Sequence, residues 1–151
     1  MLIVWTERCR DSADQGWKMP HFSIEYSANV AVAADIGALC EVVRKAAVET
    51  GIFPLGGIRV RAIRCEHYAI ADGLPDAGFV DILLRIGEGR SLEARQKAGA
   101  HIFEAVSAFF DPAFLAGSKL ALSLDIQIND GATSWKRNNI HDMLKAEADH
   151  G

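Results

Sequence analysis

The chain is 151 residues long and half of them are apolar, enough for one domain with its own core. A net charge of −4, from 16 Lys and Arg against 20 Asp and Glu, argues against a general nucleic-acid binder, so any anion site must be local and built from a few arginines. Cys9, Cys40 and Cys65 are odd in number and lack a C-x-x-C spacing, which fits a reducing, cytoplasmic setting, and no apolar run approaches the roughly 20 residues of a membrane span.

Residues 1–18 start with a short apolar run, Met1 to Trp5, and then turn polar. The run is too short for an export signal and precedes the positive charges instead of following them. The segment reads as an extension absent from the mature protein or as a loose appendage; a strand over 2–6 is the competing reading. The rest, 19–151, reads as a single domain.

From Pro20 the pattern becomes regular. Phe22, Ile24 and Tyr26 alternate with His21, Ser23 and Glu25, which predicts a half-buried strand over 21–27. Asp35 can cap a helix over 36–50 whose apolar positions Ile36, Leu39, Val42, Val43 and Ala46 share one face, with Gly51 at its end. After the tight connection Phe53-Pro54-Leu55-Gly56-Gly57, Ile58, Val60 and Ala62 alternate with Arg59, Arg61 and Ile63 in a second strand expected to run on to His67-Tyr68. Asp72 to Asp76 is a turn. Phe79 to Ile86 is almost continuously apolar and predicts a strand buried on both faces. Ser91 caps the strongest helix, with Leu92, Gly99, Ile102, Phe103, Val106, Phe109 and Phe110 at spacings of three and four, and Asp111-Pro112 is expected to stop it. Leu120 to Asn129 alternates cleanly as a strand, and the tail is expected to hold a short hairpin arm and a last helix capped by Asn138.

This order is strand, helix, strand, twice over, with the two halves starting 57 residues apart at Pro20 and Ala77. It predicts an α+β fold: two consecutive βαβ units forming a four-stranded sheet with two helices on one face. The other face carries apolar side chains too, so oligomerisation through it is expected.

Pro20-His21-Phe22, Thr50 through Arg59, Ala71-Asp72-Gly73, Ile86 through Glu93 and Lys136 through His141 together resemble the 5-carboxymethyl-2-hydroxymuconate isomerase family of the tautomerase superfamily, from Met19 to about Lys145. The resemblance implies a homotrimer without cofactor or metal. It implies action on a muconate di- or tricarboxylate in bacterial aromatic (homoprotocatechuate) degradation. It also implies an amino-terminal proline, Pro20, as base, with Arg59 and Arg90 at substrate positions. The departure is the extension before Met19: with it attached, Pro20 is an amide nitrogen without a basic lone pair. A trimeric binding or assembly protein whose proline is blocked is therefore the alternative.

The chemistry can be read from the residues as well. A free amino-terminal proline is a secondary amine, whereas an internal one merely opens a strand. Free α-amino groups titrate at roughly 7.7–8.0, and burial or nearby cations lower that value. Arginine binds carboxylates through a planar, permanently charged fork. Arg90, at a helix start after Gly-x-Gly, suits an anion, and Arg59 is either a site residue or part of a solvated strand face. Arg61, Arg64, Arg85 and Arg95 read as surface charges. His21 is a further candidate for substrate contact, against the reading that it lies on the opposite strand face. Gly87-Glu88-Gly89 lacks the third glycine of a dinucleotide fingerprint, and neither the histidines nor the cysteines show metal spacing.

Overall fold

The computed structural model describes residues 19–150. The extension and its competing strand over 2–6 lie outside the described residues. The chain runs β1 (His21–Ser27), α1 (Val30–Ala33), α2 (Ile36–Glu49), β2 (Arg59–Cys65), β3 (Gly78–Gly87), α3 (Leu92–Leu115), β4 (Leu120–Asn129) and α4 (Ile140–Asp149), with 3-10 turns at Leu55–Gly57 and Gly131–Thr133.

The sheet order is β2-β1-β3-β4. β1 is parallel to β2, β3 is parallel to β4, and the two central strands are antiparallel. Each parallel pair needs a crossover, which α2 and α3 supply, so the two βαβ units predicted from the pattern are present. Phe22, Ile24 and Tyr26 of β1 and Val80, Ile82, Leu84 and Ile86 of β3 point to one side. There they pack with Leu39, Val43 and Ala46 of α2 and Ala98, Ile102, Val106 and Phe110 of α3. Both helices thus cover the same face. Burying each of these large side chains contributes roughly 1.5–3 kcal/mol, which makes the strand period the main determinant of the layer.

Asp35 caps α2 by accepting from Ala38 N at 3.0 Å, and Ser91 caps α3 by accepting from Ala94 N at 3.1 Å. The two units are tied at the far end of the sheet through Ser27, which is fully buried. Its Oγ accepts from Phe79 N at 2.9 Å and donates to Asn29 Oδ1 at 2.7 Å, while Asn29 Nδ2 donates to Ala77 O at 2.8 Å.

Several expectations need correction. α3 does not stop at Asp111-Pro112 but continues to Leu115, with Ala116 N donating to Pro112 O at 3.0 Å. A proline in the last turn removes a single backbone bond, a loss the packing of Phe110 outweighs. β2 ends at Cys65 without reaching Tyr68, whose ring instead packs edge-on against Phe79 at 6.1 Å. β3 is buried on the helix side only; Phe79, Asp81, Leu83 and Arg85 on the other side are half-buried. The tail forms the 3-10 turn at Gly131–Thr133 in place of a hairpin, followed by α4, whose N-cap is Asn139 and not the expected Asn138; Asn138 Oδ1 instead accepts from Ile140 N at 2.9 Å from one residue before the cap position. Among the described residues no helix is long and apolar enough to cross a membrane.

Candidate active site

Pro20 immediately precedes β1 and is fully buried. Its carbonyl accepts from Arg59 N at 3.1 Å, so the first rung between β1 and β2 fixes the proline against the start of the neighbouring strand. The alternation of β1 puts Pro20 on the same side as Phe22, toward the helices.

Arg59 opens β2 and is half-buried. Its Nη1 donates to Gly57 O at 2.7 Å and Gly56 O at 3.4 Å, which holds the guanidinium to the preceding turn. Arg90 lies in the connection from β3 to α3, one residue before the capping Ser91. It folds back: Nε donates to Ile52 O at 3.1 Å, and the guanidinium carbon stands 5.1 Å from the centre of the Phe53 ring. Phe53 in turn meets Phe22 edge-on at 6.2 Å. Burial pushes the Arg90 guanidinium below its ordinary value, yet it stays a cation at neutral pH. Pro20, Arg59 and Arg90 therefore gather at one end of the sheet, where β1 and β2 begin and β3 ends.

His21 lies on the opposite strand face from Phe22, with Nδ1 3.4 Å from Arg61 Nη1. Burial first, and then Arg61, Arg85, Arg59 and Lys136, push its imidazole below the ordinary range, so it is neutral at pH 7.

Sequence reasoning missed how the tail completes this end. Asn138 Nδ2 donates to Gly56 O at 3.1 Å and approaches Met19 Sδ at 3.5 Å. Lys136, whose burial lowers its ammonium from the usual value, donates to Ser134 Oγ at 2.8 Å. The His141 ring of α4 lies directly on Gly56, where an added Cβ would come within 2.7 Å of Nδ1. Lys136 through His141 stood out in the sequence only as a block, because a tail packed on a turn 82 residues before Asn138 has no periodic signature. Phe53, the aromatic floor under Arg90, was read simply as part of a tight connection.

A cavity of about 610 Å³ sits at the other end of the sheet, lined by residues such as Val30, Ala34, Phe109, Pro112 and Leu120, and none of the predicted site residues lines it. Among the described residues no three His, Cys, Asp or Glu side chains are grouped to hold a metal ion.

Three comparisons with known proteins agree on the family. The sequence model of 5-carboxymethyl-2-hydroxymuconate isomerases matches residues 20–144, beginning on the proline. A 5-carboxymethyl-2-hydroxymuconate Delta-isomerase of Escherichia coli is 41% identical over 127 residues, which are 84% of this chain and 100% of that protein. A crystal structure of a 5-carboxymethyl-2-hydroxymuconate delta-isomerase, 32% identical, covers 86% of this chain and 95% of its own with a TM-score of 0.79. A 5-carboxymethyl-2-hydroxymuconate isomerase from Deinococcus radiodurans R1, 37% identical, covers 85% and 96% with a TM-score of 0.78. The chain belongs to the 5-carboxymethyl-2-hydroxymuconate isomerase family.

Proposed function

We propose that this protein is a cofactor-independent isomerase that converts a 5-carboxymethyl-2-hydroxymuconate-like substrate to its 2-oxo isomer, with Pro20 as the base, in cytoplasmic degradation of aromatic compounds. The observation that carries the reading is the burial of Pro20 at the start of β1, hydrogen-bonded to the backbone of Arg59, at the residue where the family match begins. The mature chain then starts at Pro20, Met19 and the residues before it having been removed or never translated. The blocked-proline alternative is less favoured, because the relatives that match over most of the chain carry an isomerase name.

The neutral Pro20 amine takes the proton of the 2-hydroxyl group, which leaves a dienolate. The resulting ammonium returns a proton to a distal carbon of the conjugated system, and the 2-oxo isomer forms with no net change in composition. Arg59 and Arg90 are assigned to the substrate carboxylate and the developing oxyanion, a task for charged, partly desolvated donors. The same cations and the buried position lower the amine's pKa by favouring its neutral form.

The test is to supply 5-carboxymethyl-2-hydroxymuconate to the form beginning at Pro20 in D2O and follow the product by proton NMR. Formation of the 2-oxo isomer, with deuterium on the newly saturated carbon, is expected. Substrate that ketonises no faster than in buffer contradicts the reading.

A further inference from the structure

Met19 precedes the sheet, yet it is only 8% exposed. Its carbonyl carbon acylates the Pro20 nitrogen, so its buried side chain lies beside the atom that the reaction assigns as base. Asn138, arriving from the far end of the chain, meets it there. Nδ2 stands 3.5 Å from Met19 Sδ and donates to Gly56 O at 3.1 Å. Oδ1 accepts from Ile140 N at 2.9 Å, and these partners decide which end of the amide is oxygen and which is nitrogen.

A side-chain amide nitrogen carries two N–H groups. Gly56 O takes one, and the other faces a thioether sulfur, which is a weak acceptor. Gly56 O also accepts from Arg59 Nη1 at 3.4 Å, so the Asn138 amide and the Arg59 guanidinium converge on a single carbonyl. The His141 ring seated on Gly56 braces the same stretch of tail, so the place of Asn138 does not depend on Met19. When the chain begins at Pro20 the sulfur is gone, and whatever fills its place touches both the amine and the Asn138 amide. A half-buried N–H without a partner is costly, and a charged oxygen is a far stronger acceptor than the sulfur it replaces.

We infer that Asn138 is a further substrate-binding residue beside Arg59 and Arg90: the Nδ2 N–H that faces Met19 in the full chain donates to a carboxylate or dienolate oxygen of the substrate once the chain begins at Pro20. The inference rests on the isomerase reading with a free Pro20 amine. Asn138 neither gains nor loses a proton in the reaction. Being neutral, it adds a donor next to the base without adding a charge to the amine's surroundings. Met19 then acts in two ways in the full chain, since it turns the amine into an amide and also fills the place of the substrate.

Calorimetric titration with propane-1,2,3-tricarboxylate reads this contact without turnover, on the form beginning at Pro20 and on the full chain, each with and without Asn138→Ala. In the Pro20 form the substitution is expected to weaken binding by about 10- to 100-fold, the size of a lost hydrogen bond to a charged group, with Asn138→Gln recovering part of it. In the full chain, where Met19 occupies the N–H, it is expected to leave binding unchanged. Asn138 acting only as a brace for the Gly56 turn would move both forms alike, because Arg59 is held by that turn in each. Equal losses in the two forms, or no loss in a Pro20 form that circular dichroism shows to be folded, would overturn the inference. With 5-carboxymethyl-2-hydroxymuconate, a raised KM for Asn138→Ala assigns the contact to a carboxylate and a lowered kcat assigns it to the dienolate. Failure of the isomerase reading appears separately, as absence of product from the unsubstituted Pro20 form.

Discussion

At the scale of single residues, the account turns on how few groups are available for charge. Arg59 is pinned to the carbonyls of Gly56 and Gly57, and Arg90 to Ile52 and the Phe53 ring, so neither cation needs to reorganise to meet an anion. Arg59→Ala or Arg90→Ala is expected to lower kcat/KM by about 2–4 kcal/mol, the size of a lost charge-assisted contact in a dry site. Unchanged kcat/KM in both variants would reduce them to ordinary surface charges. His21 gives a pH prediction whose sign follows from its surroundings. Its folded-state pKa lies below the ordinary 6.5, so between those two values the unfolded chain binds more protons. The contribution of His21 to stability is therefore full above about 6.5 and is lost as the pH falls through that window. Denaturant midpoints measured at about pH 7.5 and 5.5 should fall more for wild type than for His21→Gln, and equal falls would contradict this. The types and candidate positions of these residues were legible in the sequence. Their partners were not, because the contact of Arg90 with Phe53 and that of His21 with Arg61 depend on strand and loop placements that periodicity leaves open.

At the scale of elements, legibility follows period and length. β1, β4 and the starts of α2 and α3 are read from alternation and from the caps Asp35 and Ser91, which are local signals. α1 is one turn long and too short to show a period, and the end of α3 is set by packing that overrides Pro112. The docking of α4 was illegible for a different reason, since it depends on a glycine leaving room. Gly56 has no side chain, and a Cβ there would stand 2.7 Å from His141 Nδ1 and 3.0 Å from its backbone N. Gly56→Ala should therefore push α4 off the turn, at a cost on the order of 1–3 kcal/mol. Limited proteolysis is expected to release the C-terminal segment of the variant faster than that of wild type, and identical cleavage rates would mean that α4 tolerates the displacement.

At the scale of the whole molecule, the helices cover one face of the sheet and leave the other with Phe79, Leu83 and Ile63 set among charges. Apolar side chains distributed in this way favour association of subunits through the open face, as the alternation of the strands already implied. A homotrimer is expected by sedimentation at micromolar protein, and a monomer there would contradict the assembly. Catalysis by an amino-terminal proline needs a chain that begins at that proline, a property of the whole polypeptide. The most direct measurement compares 2-oxo product formation by the form beginning at Pro20 with that by the full chain, each verified by intact mass. The account predicts that the Pro20 form is faster by at least about 100-fold, because an amide nitrogen cannot replace a positioned amine. Its rate should rise with pH through an ionisation below the free α-amino range of about 7.7–8.0. An unprocessed full-length chain that forms product as fast as the Pro20 form would contradict the assignment of Pro20 as the base.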